Sequence, residues 1–492
     1  MKSVIVIGSG FAGLSSATFL AKAGYDVTVL EKNDSLGGRA RVWETEGFKF
    51  DMGPSWYWMP DVFERYFKSF GYDVSDLYEL IRLDPSYRVV FGAKDHEDQS
   101  ASMAELEAMF ERLDPGSSER LKKFLAEAAY KYEVGIKDLV HKPSRSLLEF
   151  ADFRILKGLF QLDLLKDMRK HVAEVSTHPK LKAIMEFPVL FLGALPQNTP
   201  ALYSLMNYAD MSLGTWYPRG GMHKIIEAMV KVAKEQGVKF RTKAEVKGFK
   251  YSGNKIVGVL TKTGGFSADI VVAGADYHHI DQEVSDEGRR EYSKNYWDKR
   301  KMAPSSLLYY LGIKGEVPNV LHHNLFFDHE LDQHASELYT HPQWPTKPLF
   351  YASAPTKTDR SIAPEGCENM FLLMPTAPGL AGDSEEVREK YYNIMMDRLE
   401  QFTGSSIRDR VVVKRSFAYS DFKSEYNSFK GNAYGLANTL DQTAILKPRL
   451  KSKKISNLYF SGQLTTPGPG VPPTLISGEV VSKEIAKDFK LK

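Results

Sequence analysis

The sequence predicts an α/β protein built on half of a doubly wound parallel sheet, with a second, discontinuous α+β domain. Three observations carry this. The apolar run Val4–Ile7 leads straight into the glycine turn Gly8-Ser9-Gly10-Phe11-Ala12-Gly13. A helical apolar period from about Phe11 to Ala23 then gives way, after Gly24-Tyr25-Asp26, to a second apolar run, Val27–Leu30. Patches of the same character recur near Gly220 and Asn457, far apart in a chain of 492 residues that is long for one core.

Taken in order, the glycines of the first turn allow a tight bend, close backbone approach to a pyrophosphate and close helix-to-strand packing, with phosphate facing a helix N-terminus. Glu31 lies 18 residues after Gly13 at the tip of the second strand, where a carboxylate accepts from ribose hydroxyls. The context predicts a dinucleotide site. Leu36-Gly37-Gly38-Arg39-Ala40 follows, a guanidinium on a Gly-Gly turn that is suited to a permanently held pyrophosphate. Asp51-Met52-Gly53-Pro54-Ser55 comes next. The second patch runs from Gly220-Gly221 through a helix with Ile225, Ile226, Met229, Val230 and Ala233 to a strand at Val238–Arg241. A meander around Lys255–Leu260 and the strand Asp269–Ala273 complete it. The third patch is a strand at Asn457–Ser461, a Gly/Pro-rich turn and a helix from about Thr474 to Phe489. Residues 1–75, 215–300 and 455–492 are therefore assigned to the nucleotide domain. Residues 76–214 and 301–454, which hold most of the other large apolar side chains, are assigned to the second domain. The charged stretch Asp286–Lys301 is expected to be a solvated helix.

Composition excludes several functions. The 65 basic and 62 acidic residues balance, which argues against nucleic-acid binding. Cys367 is the only cysteine, so an internal disulfide and a cysteine-rich metal site are excluded. No apolar stretch reaches the roughly 18 residues of a spanning helix; the most apolar window, Phe187–Pro196, is short and broken by prolines. With a strand starting at residue 4, no signal peptide is expected and a cytoplasm-facing location is predicted.

The series of glycine turn, Glu31 and Gly-Gly-Arg resembles the flavin-containing amine oxidase and carotenoid desaturase superfamily. More narrowly, Gly47–Trp56, Trp216–Met222 and Phe460–Pro473 resemble bacterial phytoene desaturases, and the resemblance spans essentially the whole chain. It implies a Rossmann-like FAD-binding domain of the amine oxidase and GDI type beside an α+β substrate-binding domain. Non-covalent FAD would be held by Gly8, Gly10, Phe11, Ala12, Gly13, Glu31, Lys32, Gly38, Arg39, Gly53, Pro54, Ser55, Val246, Gly462, Gly470 and Val471. The C-terminal turn, Gly462 and Pro467–Val471, is stiff, and the helix after it offers its N-terminus to the negative charge a flavin gains on reduction. No second glycine fingerprint for a nicotinamide exists, so electrons are expected to leave to a quinone or oxygen.

The resemblance implies dehydrogenation of phytoene to lycopene. The alternatives are a later, hydroxylated or cyclised carotenoid, a polyene isomerase or saturase, and a non-enzymatic GDI-like lipid carrier; the intact Gly-Gly-Arg and Pro-Gly-Pro-Gly stretches oppose the carrier. A hydrophobic polyene needs an apolar tunnel, for which Trp56, Tyr57, Trp58, Phe187, Phe191, Leu195, Trp216 and Tyr217 are candidates. A catalytic base is not readable. Asp152 and Arg154 are candidates by position, and the role of His223 stays open. Peripheral, monotopic attachment to the inner membrane face is expected through Phe150–Lys170, where apolar residues alternate with Lys157, Lys166, Arg169 and Lys170. A helix packed on the core is the other reading.

Overall fold

The computed structural model describes residues 1–146, 149, 166–190 and 193–491. Five parallel strands form one sheet in the order Leu458–Phe460, Ile270–Ala273, Ser3–Ile7, Asp26–Leu30, Lys239–Arg241. Its central strand is covered on both faces, which is why Val4–Ile7 is apolar without alternation. Val4 and Val6 pack with Leu14, Ile225, Met229 and Val480 from the helices Phe11–Lys22, His223–Glu235 and Val471–Asp488. Ile5 and Ile7 pack instead with Val246, Phe249 and Val259 of an antiparallel meander, Val246–Ser252, Lys255–Thr261 and Gly264–Ser267. Each of the sequence-predicted pieces of this unit forms, with ends shifted by a few residues.

A seven-stranded sheet occupies the rest. Its order is Val411–Phe417, Ser305–Lys314, Cys367–Thr376, Phe350–Ser353, His323–Phe326, Tyr87–Gly92, Asp95–Gln99, antiparallel except for the pairing of His323–Phe326 with Tyr87–Gly92. Successive side chains of a strand point to opposite faces. Met370, Leu372 and Met374 accordingly pack under the helix Glu385–Thr403, against Tyr391, Met395 and Leu399. Phe371 and Leu373 lie in the other cluster, with Phe187, Leu325 and Tyr351. The loop after strand Phe48–Asp51 links the two sheets, and Tyr310 Oη donates to Met52 O at 2.8 Å.

One expectation changes. Asp286–Lys301 is not one solvated helix: it holds the short turns Glu287–Arg289 and Lys294–Asp298. Between them they bury Trp297, whose Nε1 donates to the buried Asp281 carboxylate at 3.0 Å. In the stretch proposed to meet a membrane, Asp152 and Arg154 lie outside the described residues, as does residue 191. The cations at its described end already have carboxylate partners: Lys166 pairs with Glu174, Lys170 with Asp167, and Arg169 with Glu186 (3.0 Å) and Asp332 (2.5 Å). Burial of the Glu186 carboxylate explains why Arg169 stays between two acids. Among the described residues, no helix is long and apolar enough to cross a membrane.

Candidate active site

The glycine turn packs as its spacing predicts. A Cβ on Gly13 would lie 2.0 Å from Gly8 O, so only glycine lets the helix Phe11–Lys22 close on the strand before it. A Cβ on Gly10 would meet nothing within 4 Å, so the backbone there borders open space. Gly10 is the N-cap of that helix and no side chain caps it, leaving amide donors for an anion.

Three other segments close on this turn. Gly37 N donates to Ser9 O at 3.1 Å, and a Cβ on Gly38 would sit 3.2 Å from Gly10 Cα, so the Gly-Gly-Arg turn lies against the first turn. Glu31 is buried at the strand tip. Its Oε2 accepts from Ser9 N (3.0 Å) and Ser9 Oγ (2.6 Å), and its Oε1 accepts from Asn33 N (2.9 Å). A carboxylate has about four acceptor sites. One therefore remains for a hydroxyl of a ligand. Lys32 Nζ donates to Asn427 Oδ1 at 2.9 Å and reaches Glu245, next to Val246. From the C-terminal segment, Gly462 lies 3.7 Å from Ala12 Cβ by its own virtual Cβ, and Gly470 N-caps the helix that begins at Val471.

Arg39 is the charged centre. Its Nη2 donates to Ser428 Oγ (3.0 Å) and Asn432 O (3.4 Å), and the guanidinium lies 5.4 Å from the Tyr426 ring. Burial pulls its pKa down, and the nearby Asp276 and Tyr426 oppose that. Arg39 Nε is buried with no partner. An unpartnered buried donor on a cation costs free energy unless a ligand satisfies it. Open space at Gly10, a spare acceptor on Glu31 and this orphan donor together fit a dinucleotide such as FAD. Gly53 packs beneath, its virtual Cβ 2.3 Å from Arg39 O, with Pro54 following and Ser55 reaching a second pocket.

Two cavities lie on the seven-stranded sheet. One is apolar and lined by Phe187, Phe327, Leu338, Leu349 and Leu373 among others. The other is lined by Asp51, Ser55, Tyr217, His223, His322 and Ser353, with Asn369 and Phe371. Trp56, a tunnel candidate, lines neither. It stacks on His323 (4.2 Å between centroids) and meets Phe187 at 6.1 Å, while His323 Nδ1 contacts Tyr351 Oη at 2.5 Å. Of the tunnel candidates, Phe187 and Tyr217 line a cavity. Trp216 lines neither of these two; its ring takes the Arg82 guanidinium at 5.3 Å and its Nε1 donates to Leu213 O. Tyr57 and Leu195 are buried core residues, and Trp58 Nε1 donates to Thr215 Oγ1.

Sequence reading missed three groups. Asp51 accepts from Met222 N (2.7 Å) and His223 N (2.9 Å), and Asp359 accepts from Gly220 N (2.6 Å), so two carboxylates clamp the Gly220-Gly221 turn. His223, left open above, contacts Asp51 Oδ1 through Nδ1 at 3.1 Å. The third is Asp210, which accepts from Tyr87 Oη at 2.7 Å; burial pushes its carboxyl up to about 7. Tyr87 packs edge-on to Trp56 and Phe187, so this carboxyl is separated from the apolar cavity by Tyr87 and Phe187.

A family model described as flavin containing amine oxidoreductase matches residues 11–486. The chain is 41% identical over 492 residues to the carotenoid 3,4-desaturase of Haloarcula japonica, covering 99% of each. It is 31% identical to the zeta-carotene-forming phytoene desaturase of Myxococcus xanthus, covering 98% of this chain and 94% of that one. The fold matches a solved structure of wild-type putrescine oxidase bound to putrescine at a TM-score of 0.61 and 15% identity, covering 99% of both chains.

Proposed function

Since the chain belongs to the flavin-containing amine oxidoreductase family and is an FAD-dependent oxidoreductase, we propose that it desaturates a carotenoid and that its substrate is a later, already conjugated one. The observation that carries the reading is the 41% identity, along the full length, with a carotenoid 3,4-desaturase. Phytoene-to-lycopene conversion is the second reading, favoured by the 31% identity with a phytoene desaturase.

The residues support this chemistry. Bound FAD supplies a two-electron hydride acceptor for an alkane carbon, whose neighbouring carbon loses a proton as the double bond forms. Non-covalent retention falls to Arg39, whose Nε would pair with the pyrophosphate, and to Glu31, whose free acceptor site would take a ribose hydroxyl. The chain's main task is orientation and exclusion of water. Asn369, Phe371, Leu373 and Pro375 occupy alternate positions on one face of a strand and all line the two cavities. At about 3.4 Å per residue they form a floor of roughly 20 Å, suited to a long thin substrate. Asp210 is a buried carboxyl behind Tyr87, with no direct role assigned; Asp152 and Arg154 remain candidates by position alone. A membrane surface as substrate source, and a quinone or oxygen as final acceptor, complete the proposal.

The test is to load the purified holoprotein into liposomes carrying either phytoene or a conjugated carotenoid such as lycopene, and to follow pigment spectra. A red shift with the conjugated carotenoid exceeding conversion of phytoene is the expected result. A preference for phytoene would install the second reading, and no new double bond in either would sink both.

A further inference from the structure

Tyr351 and His323 form a polar pair on the cavity face of the seven-stranded sheet. Tyr351 lines the apolar cavity, and its Oη meets Nδ1 of His323, on the neighbouring strand His323–Phe326, at 2.5 Å. His323 pairs in register with Ser353, which lines the polar cavity. Leu325, two residues on and so on the same face, lines the apolar one. His323 thus has residues of both cavities as its neighbours on one face.

His323 is not held as a histidine that serves packing alone. It is fully buried, and its Nε2 has no hydrogen-bond partner. His334, which lines the apolar cavity, shows the contrast: its Nδ1 accepts from Leu349 N at 2.9 Å and its Nε2 donates to Pro375 O at 3.1 Å. An unmet buried imidazole nitrogen costs stability that a phenyl ring of similar shape would not. Burial holds the resting pair neutral, pushing His323 well down and Tyr351 up from their ordinary values, with His322 adding to the first shift. Trp56 lies over the His323 ring at 4.2 Å between centroids and 9° between planes. An aromatic face attracts a cation placed over it, so this stack offsets part of the cost of charging the imidazole. Asp210 is a poorer candidate for proton transfer, since Tyr87 and Phe187 separate it from the apolar cavity.

Building on the desaturase reading, we propose that Tyr351 Oη takes the proton lost in desaturation while Tyr351's own proton passes to His323 Nδ1. One carbon gives up hydrogen with its bonding pair, as hydride, to the bound flavin. At the neighbouring carbon the C–H pair becomes the second bond of the alkene, and the proton goes to Tyr351 Oη as the phenol O–H breaks towards Nδ1. The products are the alkene, a reduced flavin with one added negative charge, and an imidazolium that compensates it. Loss of hydride makes the neighbouring C–H strongly acidic, so a neutral phenol and imidazole are base enough. Tyr351 is the catalytic residue, and His323 is the positioning residue that acts through it.

The experiment follows flavin bleaching in single turnovers. FAD-loaded protein is mixed anaerobically with the liposome-borne polyene that wild type turns over, lycopene or phytoene. The polyene is unlabelled or deuterated at one or the other of the two carbons that become double-bonded in the wild-type product, and carotenoid retained by the protein is measured in parallel. Tyr351→Phe and His323→Gln should each retain carotenoid as wild type does and bleach about 100-fold more slowly. The isotope effect from the proton-losing carbon should rise and that from the hydride-losing carbon should fall, because loss of a base slows one C–H cleavage whereas a packing defect slows both alike. Tyr351→Phe deletes a single oxygen and keeps the ring in the sheet; His323→Gln covers the case in which it fails to fold. Wild-type bleaching in a folded variant, or slowing with both isotope effects unchanged, overturns the proton path while leaving desaturation intact. If neither polyene bleaches the wild type, the desaturase reading falls and the proton path with it.

Discussion

Asp210 shows how one side chain can set a pH response for the whole fold. Its carboxyl is buried and raised to about 7, chiefly by desolvation, with Tyr87, Arg82 and Thr215 opposing the shift. An unfolded aspartate titrates near 4. Between those values the folded state holds a proton that the unfolded state has lost, so stability falls as pH rises from about 4 to about 7 and stays lowered above. Asp210→Asn removes the titration. Thermal unfolding should then lose that component of its pH slope, with the variant gaining at pH 8 relative to pH 5 by at most about 3 kcal/mol; an unchanged slope would place the charge elsewhere. Arg39 was legible in sequence because two glycines beside it announced a turn. Asp210 was not, since its partner Tyr87 is 123 residues away and only the fold brings them together.

At the scale of elements, the crossing of helices Phe11–Lys22 and Val471–Asp488 positions both glycine turns at once. Ser15 Oγ donates to Leu475 O at 2.7 Å, and a Cβ on Gly478 would lie 2.5 Å from Ala12 O and 2.7 Å from Ser16 N. Those contacts are backbone, which cannot rotate away. Gly478→Val should therefore cost about 3 kcal/mol in urea denaturation and release FAD as the helices part; a wild-type midpoint would show that the crossing has slack. The helices and parallel strands were readable from period and glycine spacing. The seven-stranded sheet was not: Met370–Met374 is an unbroken apolar run because both faces are covered, and such a run carries no period that separates strand from helix. The cavity floor on its alternate residues was invisible for the same reason, although Phe187 and Tyr217, which line the cavities, were singled out by their chemistry.

At the scale of the molecule, the proposed cofactor cradle draws on segments near residues 8–13, 31–39 and 462–471, with Ser428 and Asn432 added by a stretch that sequence reading had given wholly to the other domain. A ligand touching so many segments stabilises the fold by mass action: at a free concentration 100 times its dissociation constant it contributes about 2.7 kcal/mol. Gly10→Val separates that linkage from the protein's own stability. Gly10 has φ −70 and ψ 178, an extended conformation open to any residue, and its virtual Cβ has no neighbour within 4 Å. The branched side chain would thus cost the apoprotein almost nothing, yet it would stand where the pyrophosphate must approach the helix N-terminus. The apo forms of variant and wild type should melt together, and added FAD should raise the melting temperature of the wild type only, with the variant remaining colourless after gel filtration. A variant that binds FAD normally would move the pyrophosphate away from Gly10. One that melts early without cofactor would mean that the space beside Gly10 is filled in solution.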